Sequence, residues 1–189
     1  DLETVTVTGA GDFNLDTATI TGDGTNRVTL DASTSSGDVT LNVDDTADAV
    51  NQVTTGSGVD AITIDGIAGS DDGFVLSTNG GADTFTVTTD GDGATAVMDL
   101  NGGTGIDTLV LNDTVDISDS DVTLTSVETI SIEGGDTNFA TVSSDLLSGN
   151  SLILDATTGV GAQTLNIVVD ALTVDFSNLA FAANFSDDG

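Results

Sequence analysis

Gly102 to Val110 reads G-G-T-G-I-D-T-L-V, a full match to the nonapeptide G-G-x-G-x-D-x-U-x. The spacing has a physical logic. Glycines let a turn adopt positive φ and bring backbone carbonyl oxygens close to an ion. The aspartate adds a hard carboxylate, and the large apolar residue two places later opens a strand and points into a core. Calcium takes about six to eight oxygens, which two stacked turns supply through carbonyls and carboxylates. Degenerate copies precede the full one, at Gly56-Ser57-Gly58-Val59-Asp60 and Asn79-Gly80-Gly81-Ala82-Asp83, each read with one glycine replaced, by Thr55 and Asn79. The expected metal residues are therefore Gly56, Gly58, Asp60, Gly81, Asp83, Gly103, Gly105 and Asp107. A Gly/Asp-rich β-turn explains one such match as well as calcium does. Three aspartates at intervals of 23 and 24 residues favour the ion.

Between these turns runs a second acidic series: Asp44-Asp45, Asp71-Asp72, Asp90 with Asp92, and Asp113 with Asp116. Asp71, Asp72, Asp90 and Asp92 are further calcium candidates, against the plainer reading of solvated loop carboxylates. Paired carboxylates such as Asp71-Asp72 also suit a glycosidase or a polysaccharide lyase. A lyase normally needs a basic residue at its uronate, however, and Arg27 is the only one in the chain. No enzyme is expected. The Thr-x-Thr rows at Thr4/Thr6/Thr8, Thr17/Thr19/Thr21 and Thr84/Thr86/Thr88 could form a flat ice-binding array, but read more simply as outward strand faces. The seven phenylalanines sit in strand patterns and are expected in the core.

Composition narrows the chemistry further. The 189 residues carry 32 acidic side chains against one basic one, no His and no Cys, for a formal net charge of −31. So negative a surface repels nucleic acid and anionic lipid. Without His or Cys there is no imidazole base, no thiol nucleophile and no ordinary zinc site, and oxygen is the only ligand type for a metal. The most apolar stretch, Leu165 to Phe185, is interrupted by Asp170 and Asp175, so no membrane insertion is expected. The start, DLETVTV, has no basic and apolar leader pattern, so any signal peptide is expected to be missing or removed. With 38% hydrophobic residues, this is no disordered acidic tail.

The elements that must position the turns are strands. Apolar residues alternate with Thr, Ser or Asp in TVTVT, VTLNV, AITID, TFTVT and ETISI, and the chain reads all-β. VSSDLLSGN, residues 142–150, is the one short helical candidate. Two strands and two turns in about 23 residues make one coil of a parallel solenoid. The alternative is a pair of immunoglobulin-like β-sandwiches, against which the absence of Trp, Tyr and Pro and the turn period both argue. Spacing loosens after about residue 117. The expected division is a calcium-binding solenoid over 1–120 and, over 121–189, its continuation or a second β unit. A degenerate turn is expected at Gly159 to Leu165, with Gln163 in place of Asp, and residues 127–132 echo residues 2–7.

The nonapeptide, its copies and the V-E-T-I strand at 127–130 resemble proteins of the repeats-in-toxin (RTX) group. The Thr-, Asp-, Gly- and Val-rich composition without Lys is most similar, within that group, to bacterial surface-layer proteins and giant secreted adhesins. The resemblance implies a right-handed parallel β-helix or β-roll, calcium-dependent folding, type I secretion and a place at the cell surface. The motif match covers about residues 55–112, and the coil is longer than the family's. The expected function is structural: a calcium-stabilised extracellular protein that assembles with copies of itself into a surface layer, filament or matrix. The rival is an adhesin module that binds cell-surface polysaccharide or another surface.

Overall fold

A computed structural model describes residues 4–21, 28–44, 51–65, 73–88, 97–119, 121–134, 137–156, 162–183 and 185. Numbered along the chain, alternate strands fall on alternate sheets. One six-stranded sheet stacks β1 (Thr4–Gly9), β3 (Thr29–Ser35), β5 (Asn51–Thr54), β7 (Gly73–Ser77), β9 (Val97–Asn101) and β12 (Asp121–Thr125). An eight-stranded sheet faces it, built of β2 (Phe13–Thr21), β4 (Val39–Asp44), β6 (Ala61–Asp65), β8 (Thr84–Val87) and β10 (Thr108–Asn112), then β13 (Thr129–Glu133), β15 (Ile153–Ala156) and β17 (Ala180–Phe181). A third sheet holds β11 (Val115–Asp116), β14 (Thr137–Ser143) and β16 (Ala162–Val168). Neighbouring strands within each sheet pair in parallel, which makes the chain a parallel β-solenoid and excludes antiparallel sandwiches.

Strand alternation explains why the coils stack. In the eight-stranded sheet Leu41, Ile62, Phe85, Leu109, Ile130 and Leu154 lie in register and point inward. In the other sheet Leu30, Val53, Leu76 and Leu100 do the same. All ten are at most 2% exposed. Full burial of such side chains is worth about 1.5–3 kcal/mol each. Phe74 and Phe85 fill the centre, and Phe13, Phe176 and Phe185 pack partly against it. Phe139 and Phe181 depart from the expectation at 46% and 63% exposed. Phe139 precedes the inward Ala140, so alternation turns it out, and Phe181 lies in the last strand with its ring against Phe185.

Coil length is 23 or 24 residues through the centre, as at Thr63–Thr86 and Thr86–Val110, and shifts elsewhere, from 21 at Thr40–Ala61 to 27 at Ile153–Ala180. Pairing in the eight-stranded sheet runs without a break from β10 into β13 and β15. What changes there is the cross-section, since the six-stranded sheet ends at β12 and the third sheet begins. The short helix α1 (Ser144–Leu147) lies inside the expected segment, with the Ser143 hydroxyl accepting from the Leu146 N–H. The echo between residues 2–7 and 127–132 is a shared strand sequence only, because β1 and β13 stand on different sheets. The Thr rows are likewise split, with Thr4 to Thr8 on one sheet and Thr84 to Thr86 on the other.

Glycine fixes how closely the turns stack. Gly81 and Gly105 have φ of 141° and 150°, and a Cβ on them would lie 1.8 Å from the Gly58 oxygen and 1.5 Å from the Gly81 oxygen. Gly105→Ala should destabilise the protein by on the order of 3 kcal/mol, because both backbone strain and a clash with main chain oppose it. Gly11→Ala is the control, since a Cβ there meets nothing within 4 Å and φ is ordinary. Equal urea midpoints for the two variants would contradict this account.

Candidate cation site

The turns from the six-stranded to the eight-stranded sheet stack along one edge, and each ends in an acidic residue. Asp12, Asp38, Asp60, Asp83, Asp107 and Glu128 follow one another there at intervals of 21 to 26 residues. The two at the start are exposed and bond forward: Asp12 Oδ1 accepts the Asp38 N–H and Asp38 Oδ1 accepts the Val59 N–H. From Asp60 the direction reverses. Asp60 Oδ1 accepts the Val39 N–H (2.8 Å), Asp83 Oδ1 the Asp60 N–H (2.7 Å), and Asp107 Oδ1 the Asp83 N–H (2.8 Å). Glu128 Oε2 closes the run by accepting the Asp107 N–H at 2.8 Å. From Asp60 onward, each carboxylate thus ties its coil to the one before.

These three aspartates are deep in the structure. Asp60, Asp83 and Asp107 are 1%, 1% and 0% exposed. Burial pushes the Asp83 carboxyl up to about 6, against the hydrogen bond from the Asp60 N–H and the nearby Thr78 hydroxyl, with the Asp60 and Asp107 charges adding to the rise. Burial also raises Asp60 and Asp107. Their outer oxygens differ in what they meet. The Thr55 hydroxyl donates to Asp60 Oδ2, whereas Asp83 Oδ2 and Asp107 Oδ2 are buried without a hydrogen-bond partner. A buried, unpaired carboxylate oxygen is costly and is the kind of atom a cation satisfies.

The residues fit a hard cation on chemistry. Apart from the Asn79 amide, whose Nδ2 donates to the Thr55 carbonyl, the polar groups at the edge are oxygens and backbone N–H groups, and the glycines let carbonyls approach. A Cβ at Gly102 would sit 2.4 Å from Asp107 Oδ2 and 2.3 Å from the Ser126 carbonyl oxygen, so those two oxygens flank space that only glycine leaves open. Gly81 likewise lies between the Gly58 carbonyl and Asp83 Oδ1. Among the described residues no three acidic side chains converge on one point. An ion here would rest on one or two carboxylates with main-chain oxygens.

The structure brings Gly56, Gly58, Asp60, Gly81, Asp83, Gly103, Gly105 and Asp107 to one edge, on consecutive coils. It corrects the alignment of the middle copy, where Thr78 and not Asn79 is the counterpart of Thr55 and Gly102. The N–H groups of these three donate to the equivalent Ser77, Asn101 and Thr125 oxygens. That copy departs from the nonapeptide at two positions. Asp71, Asp72, Asp90 and Asp92 lie outside the described residues, as does Arg27. Asp116 Oδ1 accepts from the Ser118 N–H and hydroxyl in a local turn. Gln163 is not in a turn: it stands within β16, paired in register with Asn138. Sequence reasoning missed Glu128 as the end of the ladder, although its place 21 residues after Asp107 was a signal. No protein-family model, curated protein or solved structure matches this chain, so the ladder stands on its own geometry.

Proposed function

We propose that this chain is a calcium-stabilised structural protein of the bacterial cell surface, of the RTX kind, that assembles with copies of itself into a layer, filament or matrix. The observation that carries this reading is the buried ladder with free oxygens on Asp83 and Asp107. Ionised and unpaired, these groups oppose folding; a calcium ion turns the same atoms into ligands. Secretion by a type I route, and folding only where calcium is plentiful, belong to the same reading. The buried carboxylates face the main chain of neighbouring coils, which supports a structural role for the ladder. Electron microscopy of the calcium-loaded protein tests it, with regular arrays or filaments expected. Isolated particles that bind glycans would favour the rival reading, an adhesin module.

A further inference from the structure

The residue five places before each buried aspartate differs along the ladder: Thr55 before Asp60, Thr78 before Asp83, Gly102 before Asp107. Thr55 is fully buried, and its hydroxyl donates to Asp60 Oδ2 while Oδ1 accepts the Val39 N–H. Both oxygens of Asp60 are therefore engaged within the chain. Thr78 is equally buried and near enough to Asp83 to favour its charged form, but its hydroxyl donates to the Gly102 carbonyl at 3.0 Å and Asp83 Oδ2 has no hydrogen-bond partner. At Gly102 no hydroxyl exists, and Asp107 Oδ2 is unpartnered too. Any side chain at 102 would have to displace that oxygen.

We propose that the Thr55 hydroxyl stands in for a cation at Asp60, so that this rung closes without metal and ladder ions are confined to Asp83 and Asp107. A hydroxyl bonded to a carboxylate is a strong, charge-assisted pair. Threonine is stiff at χ1, so a buried one does not swing aside easily to admit an ion. At the next two rungs no hydrogen bond within the chain reaches the outer oxygen. Thr55 is thus a specificity-determining residue, and the first copy of the motif is a structural turn in the form of a metal-binding one. This inference rests on the calcium reading above.

The test is the number of calcium ions bound per full-length chain, measured by isothermal titration calorimetry at neutral pH. Asp60→Asn should leave the wild-type count unchanged, since an amide keeps the Oδ1 acceptor. Asp83→Asn and Asp107→Asn should each lower the count by one. Thr55→Gly should raise it by one and Thr55→Ser should not. If Thr55→Gly fails to fold, the Asp→Asn series decides by itself. A second readout needs no calcium: in chelator with enough sodium chloride to keep the ion-free chain folded, Asp83→Asn and Asp107→Asn should melt above wild type, and Asp60→Asn at or below it. A count that falls by one in Asp60→Asn would overturn this inference and leave the calcium reading standing. Wild type that binds no calcium would overturn both.

Discussion

In chelator at low ionic strength and pH 7.5, the chain is expected to lose most of its β-sheet circular dichroism and to regain it in millimolar calcium. Thirty-one net negative charges on 18.8 kDa oppose compaction. The fold then buries Asp60, Asp83 and Asp107 as well, with two of their oxygens unpaired. An ion that binds only the folded chain stabilises it by about 3–4 kcal/mol per site at a hundred to a thousand times its dissociation constant. Two such sites are comparable with the whole stability of an ordinary domain, about 5–15 kcal/mol. Acid should act in the same direction as calcium. The carboxyl of Asp83 lies near 6 in the folded protein, against 3.8 for an unperturbed Asp, so the folded state binds the proton more tightly than the unfolded one. Protonation therefore stabilises the ion-free fold, and this gain is lost as pH rises from about 4 through about 6. In chelator with enough sodium chloride to keep the ion-free chain folded, the urea midpoint should be higher at pH 5 than at pH 7.5, and calcium should lift it more at pH 7.5. Identical spectra and melting points with and without chelator would overturn the account.

Such a ladder was legible in sequence because stacking imposes a period on it. Asp60, Asp83 and Asp107 recur with the coil, and strands such as Ala61–Asp65 and Thr84–Val87 alternate in period two beside them. What the sequence hid follows from the same physics. Glu128 ends the ladder with a longer side chain and no glycines before it, so the motif fails although the hydrogen bond survives. Thr55 looks like a lost glycine until its hydroxyl is seen on Asp60. The third sheet was invisible because β11 has only two residues and its neighbours fall where the coil spacing loosens. Gln163 read as a turn residue because the glycines before it match the motif. Its pairing with Asn138 is long-range information that local pattern does not hold.

Calcium, and not salt as such, is expected to drive the folded protein into ordered, concentration-dependent multimers. The outer faces remain strongly acidic: on the six-stranded sheet alone Asp31, Asp99 and Asp121 are exposed, and one arginine in the chain offers almost no cationic partner. Like charges brought together at an interface cost several kcal/mol. Sodium lowers that cost by screening, which at about 0.1 M already reaches down to roughly 10 Å. It does not make a bond between two carboxylates. A divalent ion coordinated from both sides does, and so removes repulsion and adds attraction at one point. Once charge is bridged, exposed Ile106, Val169 and Leu172 supply apolar area for the contact, being 69%, 62% and 105% exposed in the isolated chain. Light scattering should therefore grow with protein concentration up to tens of micromolar in millimolar calcium. Sodium chloride at equal ionic strength should leave the signal at the monomer. Each arm needs circular dichroism alongside it, so that an unfolded chain in sodium is not mistaken for a folded monomer. Equal growth in both salts would reduce calcium to a screening ion. A folded, monomeric chain throughout the calcium range would leave the adhesin module as the better reading.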